Sequence, residues 1–251
     1  PAAFPDITYG FYPVFAQLNR VPYREIPLRE DFSVGTEDYL GLHHTIFIAN
    51  PNAPTGIALP VFEIRRILEA NPDNVVVIDE AYVDFGAESC VSLIREYDNL
   101  LVTQTFSKSR SMAGARLGMG IGCRELIRDL QTIRYSTNPY NVNRMSMAAG
   151  IGALKDDTVV KERARIIMEN RALTEHLLKD LGFEMTKSCA NFVFVRSDRI
   201  SGEELYQKLK ENGILVRHFT LPRISDYNRI TIGSREDMVT LAETIRRILE
   251  E

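Results

Sequence analysis

Val75-Val76-Val77-Ile78-Asp79-Glu80-Ala81-Tyr82 is the stretch that decides the fold. Four consecutive β-branched residues with no polar alternation read as a strand covered on both faces. Such a strand belongs in a largely parallel sheet layered between helices. The two acids that end it lie at the strand's carboxyl end, where open α/β sheets place their ligands.

Working outward, short apolar runs predict further strands at residues 21–27, 45–49, 100–103 and 117–122. Helices are expected over 60–70, with Pro60 in the first turn, and over 124–133. From about residue 141 the texture becomes helical, most clearly over 159–181. There Leu173, Leu177, Leu178 and Leu181 recur at spacings of three and four before Gly182 ends the helix. A second α/β module follows. It has a strand at 191–195 and a helix opening at Ser201 with Glu204 three residues on, a capping-box pattern. Strands at 214–217 and 229–232 and a last helix over 235–249 complete it. The expected architecture is α/β: a three-layer α/β/α large domain over 1–154 and a smaller C-terminal α/β domain over 155–251.

The composition narrows the function. At 45% hydrophobic and 25% charged the 251 residues can build a sizeable core. A net charge of −4 argues against a general nucleic-acid binder. Cys90, Cys123 and Cys189 are odd in number and far apart, so they form neither a disulfide framework nor a metal knuckle; a reducing, cytoplasmic home is expected. His43 and His44 are adjacent rather than spaced to share a helix face, and no metal is expected. No apolar run approaches the roughly 20 residues that cross a bilayer, so no membrane partner is expected. The chain opens on Pro1 without an initiator methionine, which suggests trimming or sequence missing upstream.

Four polar signatures fall at the ends of predicted strands. Asp79-Glu80 could hold a cation or simply cap the next helix. Thr105-Phe106-Ser107-Lys108, followed by Ala113-Gly114-Ala115-Arg116, gathers two hydroxyls, a lysine and an arginine into a possible oxyanion cradle, though a lone loop lysine is usually just solvated. Asn50-Pro51-Asn52-Ala53-Pro54-Thr55-Gly56 is a rigid turn beside a strand end, and in isolation an ordinary one. Arg217 and Arg229 lie on or beside predicted strands of the second module, where snorkelling surface arginines are the plainer reading.

In this order the signatures resemble fold-type I pyridoxal-phosphate aminotransferases, and among them the histidinol-phosphate aminotransferases. Thr8-Tyr9-Gly10-Phe11-Tyr12 and Arg229-Ile230-Thr231-Ile232-Gly233 are similar to that family too, so the likeness covers nearly the whole chain. The resemblance implies pyridoxal 5'-phosphate as cofactor, bound to Lys108 as a Schiff base, with Lys108 then serving as the catalytic base. It implies that Asp79 meets the pyridine nitrogen and Tyr82 the ring hydroxyl. Thr105, Ser107 and Arg116 would hold the phosphate, and Tyr9 would lie on the ring face. Arg229 would take a carboxylate, and Arg217 the phosphate end of the amino donor, with Asn191 nearby. Glutamate and 2-oxoglutarate would be the other substrate pair, and the enzyme a homodimer of histidine biosynthesis.

The pattern departs from the family twice. Ala53 stands where an asparagine is usual, and Asn52, one residue earlier, is the candidate replacement. The family also extends further at the N-terminus, contributing a phosphate-binding helix N-terminus and a tyrosine that crosses the dimer. Weaker cofactor binding and an exposed sheet edge are therefore expected. A threonine-phosphate decarboxylase or an aromatic-amino-acid aminotransferase would carry a similar motif set, since function lies in the substrate pocket. A folded but inactive fragment is the non-enzymatic alternative.

Overall fold

The structure is a computed structural model, and it describes residues 1–250. Six strands form the first sheet: β1 (Ala2–Pro5), β2 (Tyr23–Ile26), β3 (Thr45–Ala49), β4 (Val76–Asp79), β5 (Leu100–Thr105) and β6 (Gly118–Gly122). Their order is β2-β1-β3-β4-β5-β6. All neighbours are parallel except β5 and β6, which are antiparallel.

The apolar run 75–78 becomes the middle of this sheet for the reason its pattern suggests. Val76 and Ile78 face a core with Ile46, Ile48, Leu100 and Val102. Helix α2 (Val61–Ala70) covers that face with Ile64, Ile67 and Leu68, all fully buried. Truncating one of these residues to alanine would cost about 2–5 kcal/mol. Pro60 sits one position before α2, in extended backbone, rather than in its first turn, and its carbonyl accepts the first helical bonds. The alternate strand positions point the other way. Phe4 and Phe47 meet Tyr12 of helix α1 (Phe11–Leu18), with ring centroids 5.8 and 5.7 Å apart. Helices on both faces make three layers.

Beyond β6 come α3 (Arg124–Thr137), α4 (Arg144–Lys155) and α5 (Thr158–Asp180). The smaller sheet is wholly antiparallel. It contains β7 (Phe183–Met185), β8 (Phe192–Ser197), β9 (Arg217–His218) and β10 (Asn228–Thr231), in the order β7-β8-β10-β9. Helices α6 (Gly202–Glu211) and α7 (Arg235–Glu250) complete this lobe. Its core joins Leu178 and Leu181 to Val193, Val195, Leu205 and Ile245. The Ser201 cap is present: its side chain accepts the Glu204 N–H at 3.2 Å.

The lobes meet at several points, two of them at the rim of the sheets. Phe32 packs edge-on to Phe194 and Tyr227, at 5.8 and 5.3 Å between centroids. The loop before β8 docks on the turn 50–56: Cys189 N–H donates to Gly56 O at 2.7 Å, and Thr186 Oγ1 to Thr55 O at 2.5 Å. Gly56 is required there, because its φ is +75° and a Cβ would fall 2.4 Å from Ser188 Oγ.

Candidate active site

The site is built on the carboxyl end of β4. Asp79 ends that strand, and its Oδ2 accepts the Tyr12 hydroxyl at 3.1 Å. Burial raises the Asp79 carboxyl above the usual carboxylate range, against the lowering effect of hydrogen bonds from Tyr12, Ala81 N–H and Thr103. Burial, with Asp79 beside it, raises the Tyr12 phenol in turn. Among the described residues no lysine or arginine pairs with Asp79. Glu80 faces the opposite way, as alternation along a strand requires. It is 2% exposed and accepts from Cys90 N–H, Ser89 Oγ and Gln104 Nε2 at 2.5, 2.7 and 2.8 Å. Of the two acids, one is therefore presented and the other is spent inside.

Tyr82 follows, and its ring links the two lobes. Lys108 Nζ lies 5.2 Å from its centroid. On another side Phe192 of β8 meets it edge-on at 5.1 Å, and Ala53 and Ala190 pack into the same small apolar cluster. An alanine at position 53 therefore fits its surroundings. Lys108 is exposed and lines an open cleft with Ser111, Asn170, Asn191, Gly233 and Ser234. Tyr9, about half exposed, stacks on Phe11 and meets Tyr12 edge-on at 5.6 Å.

The other predicted residues divide into two groups. Thr105, Ser107 and Arg116 share the β5–β6 hairpin. Thr105 Oγ1 accepts the Ser107 N–H at 3.1 Å, and Arg116, left-handed at φ 53°, directs Nη1 to Ala113 O at 3.1 Å. Asn52 is buried and fully engaged inside the chain, with Thr8 Oγ1 at 2.7 Å, Ile7 O at 2.9 Å and Thr55 Oγ1 at 3.1 Å. It braces the segment that carries Tyr9.

Arg229 on β10 lies with its guanidinium carbon 5.1 Å from the Phe192 centroid, and its Nε is buried without a hydrogen-bond partner. Arg217 on β9 is its direct register partner. Among the described residues neither arginine forms an ion pair. Tyr82, Phe192, Arg229 and Arg217 thus run in sequence from the large sheet to the small one.

The aminotransferase class I and II family model matches residues 1–245. The chain belongs to the class I and II aminotransferases. A histidinol-phosphate aminotransferase of Brachyspira hyodysenteriae is 48% identical over 248 residues, which are 98% of this chain and 70% of that protein. The crystal structure of the histidinol-phosphate aminotransferase from Clostridium acetobutylicum superposes with a TM-score of 0.91 at 25% identity, over 99% of this chain and 78% of that one. The Sinorhizobium meliloti histidinol-phosphate aminotransferase, solved in complex with pyridoxal 5'-phosphate, gives 0.88 at 24% identity, over 99% and 71%.

Class I and II aminotransferases depend on pyridoxal phosphate. The residues of this aminotransferase fit that cofactor on their own geometry. Asp79 is a half-buried carboxyl short of a cation among the described residues, which a protonated ring nitrogen would supply. The Lys108 amine lies beside the Tyr82 ring, and Arg116, without an ion pair among the described residues, follows on the same hairpin as Lys108.

Reasoning from sequence did not single out Tyr12 for a role, nor did it find Phe192 or the residues that tie the loops together. Tyr12 had a signal, since it lies three residues after Tyr9 in a segment already noted. Arg171 of α5 had none. Its Nη1 donates to Phe85 O at 2.9 Å and Ala190 O at 2.6 Å, joining the loop after Tyr82 to the loop before Asn191. Its neighbour Asn170 donates to Gly233 O at 3.0 Å.

Proposed function

We propose that this aminotransferase moves an amino group between histidinol phosphate and 2-oxoglutarate, with the site residues in the roles below. The observation that carries the reading is the register pair Arg217 and Arg229, two cations side by side without an acid among the described residues to neutralise them. Histidinol phosphate offers them a phosphate and no carboxylate, whereas glutamate offers two carboxylates. Arginine binds both groups in bidentate fashion, so one pocket can serve both half-reactions. The names of relatives at 45–48% identity support the same substrate.

When bound, pyridoxal phosphate supplies an electron sink for the charge that develops at the reacting substrate carbon. Asp79 keeps a positive charge on the ring nitrogen, a role for which a half-buried carboxylate with no cation beside it among the described residues is suited. Tyr12 orients that carboxylate from the α1 side. Tyr82 donates to the ring oxygen while Phe192 fixes its plane. Tyr9 covers the ring face. Thr105, Ser107 and Arg116 hold the phosphate. Lys108 anchors the cofactor and, in its uncharged form, takes the proton from the substrate carbon that bears the amino group. Asn191, beside Lys108 in the cleft, contacts the substrate.

The reading also places the enzyme in the cytoplasm as a homodimer. Three free cysteines support the first. Exposed Ile133, Tyr140, Met145, Ile151 and Leu154 on and between α3 and α4 support the second. No helix among the described residues is long and apolar enough to cross a membrane.

The test is direct. Protein with pyridoxal phosphate is given histidinol phosphate and 2-oxoglutarate, and glutamate is measured. Borohydride reduction followed by peptide mapping should place the label on Lys108. Release of carbon dioxide from threonine phosphate without glutamate formation would replace the transaminase reading by a decarboxylase one.

A further inference from the structure

Lys108 stands on a stretch with no regular ladder of its own, in bends and turns over 106–110. Two backbone bonds close the loop: Ser111 N–H to Lys108 O at 3.0 Å and Met112 N–H to Phe106 O at 2.9 Å. Neither of them relates Lys108 to Tyr82. The strand ends of β4 and β5 are paired below them, and beyond the sheet one carboxylate oxygen links the two loops. Asp84 lies in the short turn Val83–Phe85, two residues beyond Tyr82. Its Oδ2 accepts the hydroxyl of Ser109, which is 6% exposed, and Arg110 Nη1 lies 3.5 Å from the same atom. Arg110 is itself held down, with its guanidinium carbon 5.4 Å from the Phe106 centroid and its side chain 13% exposed. The two side chains that directly follow Lys108 therefore converge on the residue that sits just past Tyr82.

We propose that Asp84 is a positioning residue for cofactor attachment, setting the separation of Lys108 from Tyr82 through Ser109 and Arg110. This rests on the reading of Lys108 as the anchoring lysine. In the step concerned, the uncharged Lys108 amine adds to the cofactor's aldehyde carbon. A carbon–nitrogen double bond forms, and the aldehyde oxygen leaves as water with the two amine protons. Nothing is oxidised or reduced. The rate of such a step depends on the angle and distance at which the amine approaches, and Asp84 governs both without touching the cofactor.

The experiment follows attachment itself. Wild type, Asp84→Asn and Asp84→Ala are mixed with pyridoxal phosphate, reduced with borohydride at timed intervals, and the Lys108 peptide is quantified. The pH midpoint of the bound cofactor's visible absorbance and the thermal midpoint of each protein are measured alongside. Asp84→Ala should attach the cofactor about tenfold more slowly and shift the absorbance midpoint. Asp84→Asn, which keeps an acceptor for Ser109, should recover most of the rate. If Asp84→Ala fails to fold, Ser109→Ala removes the same bond from its other end and should slow attachment in the same direction. Folded variants that attach at the wild-type rate with an unchanged absorbance midpoint would overturn the role of Asp84 and leave Lys108 as the anchor. Absence of label on Lys108 in the wild type would overturn both.

Discussion

Arg217 and Arg229 stand directly opposite each other across β9 and β10, two like charges in register on one ladder. Like charges placed this way destabilise a sheet, by about 0.2–1 kcal/mol for a cross-strand pair. Arg217→Gln should therefore raise the urea midpoint of the cofactor-free protein slightly while raising KM for the phosphorylated substrate. A variant that is less stable and binds substrate as well as wild type would contradict the arrangement.

If the pair serves both half-reactions, Arg229→Ala should lose activity with histidinol phosphate and with glutamate together. Its Nε is buried and unpartnered, so the side chain is already desolvated toward its ligand. A fall of about 2–5 kcal/mol in transition-state stabilisation, read from kcat/KM, is expected for each substrate. Loss with only one of them would show that recognition is not shared.

Asp79 sets a pH dependence of stability. Its carboxyl is raised by burial, so the folded protein holds this proton to higher pH than the unfolded chain does. The contribution is fully present below the usual carboxylate range and is lost as pH rises through the raised value. The stability of wild type relative to Asp79→Asn should accordingly fall between acidic and neutral pH, as measured by denaturant unfolding without cofactor. Bound pyridoxal phosphate should reduce that fall in the wild type by supplying the missing cation.

Glu80, the neighbour, matters to stability through its hydrogen bonds. Three donors converge on it, from Ser89, Cys90 and Gln104. Glu80→Ala strands them and should cost about 3 kcal/mol or more, whereas Glu80→Gln keeps part of the set and should cost less. Calorimetry on the two variants would rank them.

Arg171→Ala removes both bonds that tie the loop after Tyr82 to the loop before Asn191. Amide hydrogen exchange should quicken around Phe85 and Ala190 before it changes in the core strand β4. Uniform quickening would mean that the arginine serves global stability instead.

What could be read from the sequence follows from how each element is buried. The run 75–78 and the strand at 45–49 were legible because central parallel strands are apolar throughout. β1 was not: Ala2-Ala3-Phe4-Pro5 is short, with two small residues and a proline, yet it pairs on both sides. α1 was missed because Phe11-Tyr12-Pro13-Val14-Phe15-Ala16 is an almost wholly apolar run with a proline inside it, which does not read as a helix on pattern alone. In the site, the residues with distinctive chemistry at strand ends announced themselves. The devices that hold them in place did not, because Arg171, Asn170 and Ser109 look like any polar residues on a helix or in a turn.

The joint between the lobes is made largely to main-chain oxygens. Gly56 O, Thr55 O, Phe85 O, Leu28 O and Arg29 O are among its acceptors. No point mutation deletes a carbonyl, so half of each contact is immune to sequence drift. This polar part of the joint is lost only through the few donor side chains or through Gly56, while the surrounding identities wander. Homologues that have diverged widely over their length can therefore keep the same angle between sheets, and the same distance from an amine on one lobe to an arginine on the other.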